Sequence, residues 1–359
     1  MPAPLAAGEM KAIALISGGL DSVLAAKIVK DQGISVVGVH VKMPFIKSEN
    51  YAISSSAEIG IPLVIVRADE EFLQVVRSPK FGYGTAMNPC IDCRIFMLRK
   101  ARDIAERTGA SFIITGEVLD ERPMSQHWRA LRLTAKEAGL EGFVLRPLSA
   151  KLLPRTIPEI EGWIDRKNLL AIRGRSRKMQ IALARNLGIS LSHVASPAGG
   201  CLLTNREFAA KLRDLFAHKS HVSVSDVERL KVGRHFRFKQ FKIIVGRNAD
   251  ENNRLLSMKR PSDVVLEVPR IGSPITLLEN ENLSADIIER AVDADLSSEV
   301  DSEVDEVRAA IETAARITAR YSDARYMPGV EVIVRYADKK QSFFVKPARD
   351  DDIAELRIY

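Results

Sequence analysis

Residues 12–16 carry no polar side chain and lead straight into Ser17-Gly18-Gly19-Leu20-Asp21-Ser22, after which apolar positions recur with helical spacing through Val29. That order is a buried strand, a tight loop and the start of a helix. Such a junction makes an anion site, because glycines let the backbone approach a phosphate and the N–H groups of the first helical turn point at it. Ser17 and Ser22 add hydroxyl donors. Asp21 does not suit a bare anion, since a carboxylate repels phosphate unless a magnesium ion stands between them, and so it points to a metal-bound nucleotide. A Gly-Gly turn with Asp21 as a plain helix cap is the structural alternative. No G-x-x-x-x-G-K-[ST] loop occurs.

At 359 residues the chain exceeds one ordinary core, so at least two domains are expected. With 46% hydrophobic and 28% charged residues it reads as soluble and globular. No apolar run approaches the roughly 20 residues that cross a bilayer. The first ten residues lack the pattern of a secretory signal, so a cytoplasmic protein without membrane association is expected. The net charge of +7 is unevenly spread: Arg and Lys are dense over 94–107, 122–136, 167–185 and 231–260, while 293–306 is acidic. Several basic segments on one chain point to a polyanion partner; a merely solvated basic surface is the alternative. The oligomeric state stays open, a homodimer included.

Strand patterns follow at 34–41, 62–66, 112–117 and 142–148, with a helix over 51–59. This alternation implies crossovers and a parallel sheet covered on both faces. Residues 81–89 form a turn-rich loop that delivers Cys90-Ile91-Asp92-Cys93 to the head of a basic helix over 94–108. The positive end of that helix should draw the thiols toward the thiolate form. A CxxC pair can be a redox couple, half of a zinc site or part of an iron–sulfur cluster. Cys201 is the only further thiol, so zinc would need a histidine such as His40, His127 or His193. Two helices rich in Arg and Lys are expected within 157–187, and a Gly-Gly turn within 196–203 carries Cys201.

SGGLDS directly after a buried strand resembles the signature of the PP-loop ATP pyrophosphatases, which cleave ATP to AMP and pyrophosphate while activating a carbonyl oxygen. The resemblance implies an α/β fold of the adenine nucleotide alpha hydrolase kind, with a parallel sheet flanked by helices. It also implies ATP and Mg2+ at Ser17, Gly18, Gly19, Asp21 and Ser22, with the adenine beside Val39, His40 and Met43. Thr115 and Gly116 would face the phosphates. TGEVLDERPMSQ followed by VLRPL is similar to the pattern of the tRNA 4-thiouridine synthetases, which adds Gln126 to the nucleotide site. NPCIDC resembles the NPCxxCN string of the tRNA 2-thiouridylases, which carry a distant second cysteine, as Cys201 lies here in SPAGGCLLT. In members of both families with CxxC and one distant cysteine, three thiolates hold a 4Fe-4S cluster that passes sulfide to the nucleoside. In others the first cysteine is an aspartate, and the distant one carries a persulfide. Cys90 occupies that first place, so the resemblance implies a cluster at Cys90, Cys93 and Cys201, fed by a sulfide or persulfide donor.

The resemblance spans about 11–208, and the catalytic domain is expected to end near His221, giving domains 1–221 and 222–359. From Val222 a smaller α+β domain is expected. Its strand-turn-helix runs over 243–256, a strand lies at 264–268, an interrupted helix spans 285–321, and 330–336 pairs with 341–346 as a hairpin. VGRNADENNRLL, AARITARYSDAR and a V-x-V-x-Y piece resemble the RNA-binding module at the end of the NFACT proteins. Phe236, Phe238 and Phe241 amid the cations of 234–242 fit either RNA contacts or a core strand, the latter favoured by spacing. The 4-thiouridine synthetases carry an N-terminal THUMP domain to hold tRNA; none fits before Ala12, so the C-terminal module is expected to take that task. The rhodanese domain is also missing, which implies another sulfur source. The expected function is ATP-dependent thiolation of a tRNA uridine, with Asp21, Cys90, Cys93 and Cys201 carrying the chemistry. Position 4 is preferred over position 2. The alternatives are a PP-loop amide-forming ligase with zinc at the cysteines and a non-catalytic RNA-binding factor.

Overall fold

The structure, a computed structural model, describes residues 10–46, 48–195, 200–280, 284–293 and 302–359. Residues 196–199 of the SPAGGCLLT string and 294–301 of the acidic stretch lie outside the described residues. The chain divides into two compact units, 1–205 and 206–359.

In the first unit the elements run β1 (Lys11–Leu15), α1 (Leu20–Lys30), β2 (Ser35–Lys42), α2 (Glu49–Glu58), β3 (Leu63–Arg67) and α3 (Glu70–Arg77). They continue with α4 (Cys90–Thr108), β4 (Phe112–Thr115), α5 (Trp128–Glu137), β5 (Val144–Leu145), α6 (Ile157–Ile160) and α7 (Lys178–Asn186). The five strands form one sheet in the order β3-β2-β1-β4-β5, and every pairing is parallel. Parallel strands need crossovers, and here the connecting helices bury the apolar strand faces, with Ala12, Ile13, Val23 and Leu24 wholly enclosed. Leu15 pairs with Val39 on one side and Thr115 on the other. The loops after β1, β2 and β4 therefore leave the same carboxyl edge of the sheet, where open α/β sheets bind ligands.

Two expectations change in this unit. Within 157–187 only α7 is a helix of any length. The first candidate stops after one turn, held at its start by Thr156 and Glu159 in a capping box and left behind at Gly162, whose φ is 71°. The break expected near His221 falls instead at 205/206. Helix α8 (Arg206–His218) belongs to the second unit because its Asp214 carboxylate is bonded there to Arg237 and Lys242.

The second unit continues α9 (Val224–Leu230), β6 (Arg234–Phe238), β7 (Phe241–Val245), α10 (Ala249–Ser257), β8 (Val264–Glu267) and β9 (Thr276–Glu279). It closes with α11 (Ala285–Asp293), α12 (Ser302–Arg320), β10 (Val330–Tyr336), β11 (Lys339–Val345) and α13 (Asp350–Ala354). Its six strands are antiparallel in the order β11-β10-β8-β9-β7-β6, an α+β unit. The stretch 234–242 is a hairpin, not one strand. Lys239 sits at its tip with φ 50°, and Phe236 and Phe241 are fully buried, so neither ring is free to stack on a base. No helix among the described residues is long and apolar enough to cross a membrane.

Charge is also used inside this unit. Asp226 caps its own helix through the Ser223 N–H and meets Lys219 and Arg260. Burial opposes ionisation of its carboxyl, but those donors outweigh it and hold the pKa down at about 2. A depressed carboxyl stabilises the fold above its unfolded pKa, and that contribution is lost as pH falls through the folded value. Thermal melts of the full chain between pH 5 and pH 2 should therefore show stability falling below about pH 4. Asp226→Asn should flatten that acid limb; an unchanged limb would contradict the assignment.

Candidate nucleotide and thiol site

The loop Ser17–Gly19 is shaped by its glycines. Gly18 has φ 78°, and a Cβ there would lie 2.9 Å from both the Ser48 carbonyl oxygen and the Tyr51 Cβ. Ser22 Oγ donates to the Gly19 carbonyl at 2.7 Å and accepts from the Ser17 N–H at 3.2 Å, which closes the loop. Gly19 is the N-cap of α1 and contributes no side-chain cap. The first-turn N–H groups thus keep the capacity to bind an anion. The second loop arrives from β4: a Cβ on Gly116 would stand 2.4 Å from the Asp21 carbonyl carbon and the Ser22 nitrogen. Thr115-Gly116 is therefore pressed onto the backbone of the first loop, and only glycine permits it.

Around this junction buried polar atoms stand without hydrogen-bond partners among the described residues: Asp21 Oδ1, Gln126 Oε1 and Arg177 Nε. Orphaned polar atoms are costly unless a ligand satisfies them. Burial pushes the Asp21 carboxyl up, and Arg177 and Arg122 pull against it. A cation beside Asp21 would relieve that desolvation, so the residues present suit a magnesium–nucleotide. Arg177 was legible only as part of a basic run. Gln180, wholly buried in α7, had no sequence signal.

Val39 is fully buried in β2, and its carbonyl accepts from the Ile16 N–H at 2.9 Å. Met43 is buried with its Sδ 3.7 Å from Cys93 Sγ. Cys90 and Cys93 both lie in the first turn of α4, one turn earlier than the helix start expected at 94. Asn88 donates to Cys90 Sγ at 3.0 Å, while Asp92, between the thiols, accepts from the Lys80 and Phe81 N–H groups and fixes the loop. Cys201 is held by its neighbours: the Leu202 N–H donates to the Phe45 carbonyl, and the Leu203 carbonyl accepts from Met87. Each of Cys93 and Cys201 feels the charge of another thiol.

Their protonation differs from expectation. The helix end was expected to favour thiolates, but burial dominates and pushes all three thiols up, Cys93 to about 12. Although Cys93 as a residue keeps partial exposure, its Sγ is turned inward against Met43. Arg122 counters the effect at Cys90, Cys93 and Cys201. Among the described residues no three His, Cys, Asp or Glu side chains gather tightly enough to hold a metal ion. The three histidines considered as zinc ligands are engaged: His40 with the Ile16 carbonyl, His127 with the Ala130 N–H and His193 with Glu58.

Glu117, which sequence reasoning passed over, organises this edge. Its carboxylate takes Arg94 Nε at 3.0 Å, Arg146 Nε at 2.9 Å and the Thr115 hydroxyl at 3.0 Å. Burial works against its ionisation, yet Arg94 and Arg146 outweigh that and keep the carboxyl below its usual range.

Residues 7–151 match the family model described as thiamine biosynthesis protein (ThiI), and residues 233–296 match that of the NFACT protein RNA binding domain. A tRNA-specific 2-thiouridylase MnmA of Trichlorobacter lovleyi is 24% identical over 231 residues, 61% of this chain and 62% of that protein. Its counterpart in Syntrophotalea carbinolica is 35% identical over 114 residues, 28% and 32% of the two chains. A solved 4-thiouridine synthetase–RNA complex with bound ATP is 22% identical, covering 62% of this chain and 52% of that one, with a TM-score of 0.33. The chain spans less than two thirds of the length of the curated relatives it matches. Its first unit is thus similar to part of these thiolation proteins, and its second to the domain described as RNA binding in the NFACT proteins.

Proposed function

We propose that this chain is an ATP-dependent tRNA uridine thiolation enzyme, with 4-thiouridine as its product. The supporting observation is Arg122, whose charge acts on the Asp21 carboxylate and on all three thiols, so one charged environment spans the nucleotide loop and the sulfur groups. In this reading the first turn of α1 and Gly18-Gly19 cradle the ATP phosphates, and Asp21 carries Mg2+. The uridine carbonyl oxygen attacks the α-phosphate, the α–β phosphoanhydride bond breaks and pyrophosphate leaves. Arg122 and Arg177 offset the charge that builds on the phosphates. Sulfur then bonds to the activated carbon as its C–O bond breaks and AMP departs, with no net oxidation or reduction. A 4Fe-4S cluster held by Cys90, Cys93 and Cys201 would supply that sulfide from its open iron. The sulfide donor that loads it, or a persulfide donor together with a thiol that supplies two electrons and leaves as a disulfide, is a further partner in this reading.

Position 2 is the second reading, favoured by the names of the curated relatives. Position 4 rests on the TGEVLDERPMSQ and VLRPL strings. The second unit is the proposed tRNA-holding module. Nucleoside mass spectrometry of tRNA from a deletion strain should lack one thiouridine, restored by the intact gene and not by Asp21→Asn. The same variant should release pyrophosphate about 100-fold more slowly; full restoration would refute thiolation by this loop.

Anaerobically purified protein should contain iron and acid-labile sulfide, both lost in Cys90→Ser, Cys93→Ser or Cys201→Ser. Zinc in their place would remove the cluster from the reading and revive the ligase alternative.

A further inference from the structure

A cavity of about 350 Å³ opens beside the edge strand β5, between α5 and the segment 150–159. It falls within the roughly 300–1,000 Å³ of small-molecule sites. Its floor is apolar, made by Leu131, Ala135, Val144 and Leu153. One wall is the Trp128 indole, 44% exposed although tryptophan is among the costliest side chains to leave in water. The Arg132 guanidinium lies 5.8 Å from the centre of that ring.

The charges at the rim do not cancel. Glu141 lies 3.7 Å from Arg132, and Glu159 is taken up by the Thr156 N–H and hydroxyl and by Arg166. Arg146 is committed to Glu117. Arg155 alone of the lining arginines has no hydrogen-bond or ion-pair partner among the described residues. A flat aromatic wall, an apolar floor and one uncompensated guanidinium match a nucleobase with its phosphate. Exposed Arg129 and Lys136 continue the positive charge along α5 beyond the cavity, which favours a strand of nucleic acid over a free mononucleotide.

We propose that this cavity receives one unpaired nucleotide of the RNA substrate, distinct from the nucleotide that reacts, with its base against Trp128 and its phosphate on Arg155. This rests on the thiolation reading above. None of the lining residues bonds to Asp21 or to the three thiols among the described residues, so the cavity is separate from the reacting groups. It is nonetheless joined to them mechanically. Arg146, in its wall, holds Glu117, and Glu117 holds Arg94 beside Cys93. A base seated here would fix the RNA relative to the thiol helix.

The test uses the full chain and a tRNA transcript carrying 5-bromouridine at its unpaired positions. After irradiation, the cross-linked peptide should contain Trp128. Trp128→Ala and Arg155→Glu should each weaken tRNA binding about tenfold, Trp128→Phe should stay near the parent, and ATP binding should not change in any of them. Arg155 is exposed, so its variant tests the site without disturbing the core. Unchanged tRNA affinity in both loss variants, or cross-links only elsewhere, overturns the proposal. Protection of Trp128 by free UMP or AMP but not by tRNA overturns it too, in favour of a mononucleotide pocket. Affinity and cross-linking are read without turnover, so a failure of thiolation in Asp21→Asn leaves these outcomes distinguishable.

Discussion

Glu117 is the group on which the first unit's functional edge depends. One enclosed carboxylate fixes Arg94 on the cysteine-bearing helix, Arg146 after the edge strand and the Thr115 hydroxyl before the second loop. Buried ion pairs add little net stability, because desolvation cancels most of the attraction, but they impose geometry strongly, since any other arrangement leaves a charge unpaired. Here the imposed geometry is the position of Cys90 and Cys93 relative to Gly116. Gly116 in turn rests on the Asp21 and Ser22 backbone with no room for a Cβ. The thiol helix and the nucleotide loop are thus tied together through one carboxylate and one missing methyl group.

The parallel sheet was legible because its strands are apolar runs of the right length, separated by helical periods. Every expected strand of the first unit appears, shifted by a residue or two or shortened at its ends. The resemblance set Thr115-Gly116 facing the nucleotide, but the pressing of Gly116 onto the Asp21 backbone was not foreseen, since nothing local in either string says that they meet. Glu117 was invisible for the same reason: a glutamate between two loops looks solvated until Arg94 and Arg146 arrive from far along the chain. The aborted helix after Thr156 shows the opposite failure. Its composition is helical, and a capping box holds its start, but the chain leaves the helix after one turn at Gly162. In the second unit β9 is four residues long and went unread, because so short an apolar run carries no period to count.

The basic stretches divide in an instructive way. From composition, 231–260 and 122–136 looked equivalent as polyanion surfaces. In the structure several cations of the former are taken up by carboxylates of their own unit: Lys242, 3% exposed, and Arg237 by Asp214, Arg247 by Glu251 and Arg260 by Asp226. These cations hold a small antiparallel unit together, and their carboxylates already neutralise them. Along α5, by contrast, Arg129, Arg132 and Lys136 remain exposed. Formal charge in a sequence therefore overstates the field that the 231–260 stretch can offer a polyanion.

The thiols carry the same lesson about burial. A helix N-terminus with two arginines nearby should yield thiolates, yet desolvation outweighs both and leaves Cys93 protonated at any physiological pH. A metal ion bound by these thiols would have to displace their protons at the cost that burial sets, a cost that a nearby cation can lower. Arg122 is the group that can do so, since it already acts on each thiol and on Asp21 from an exposed position.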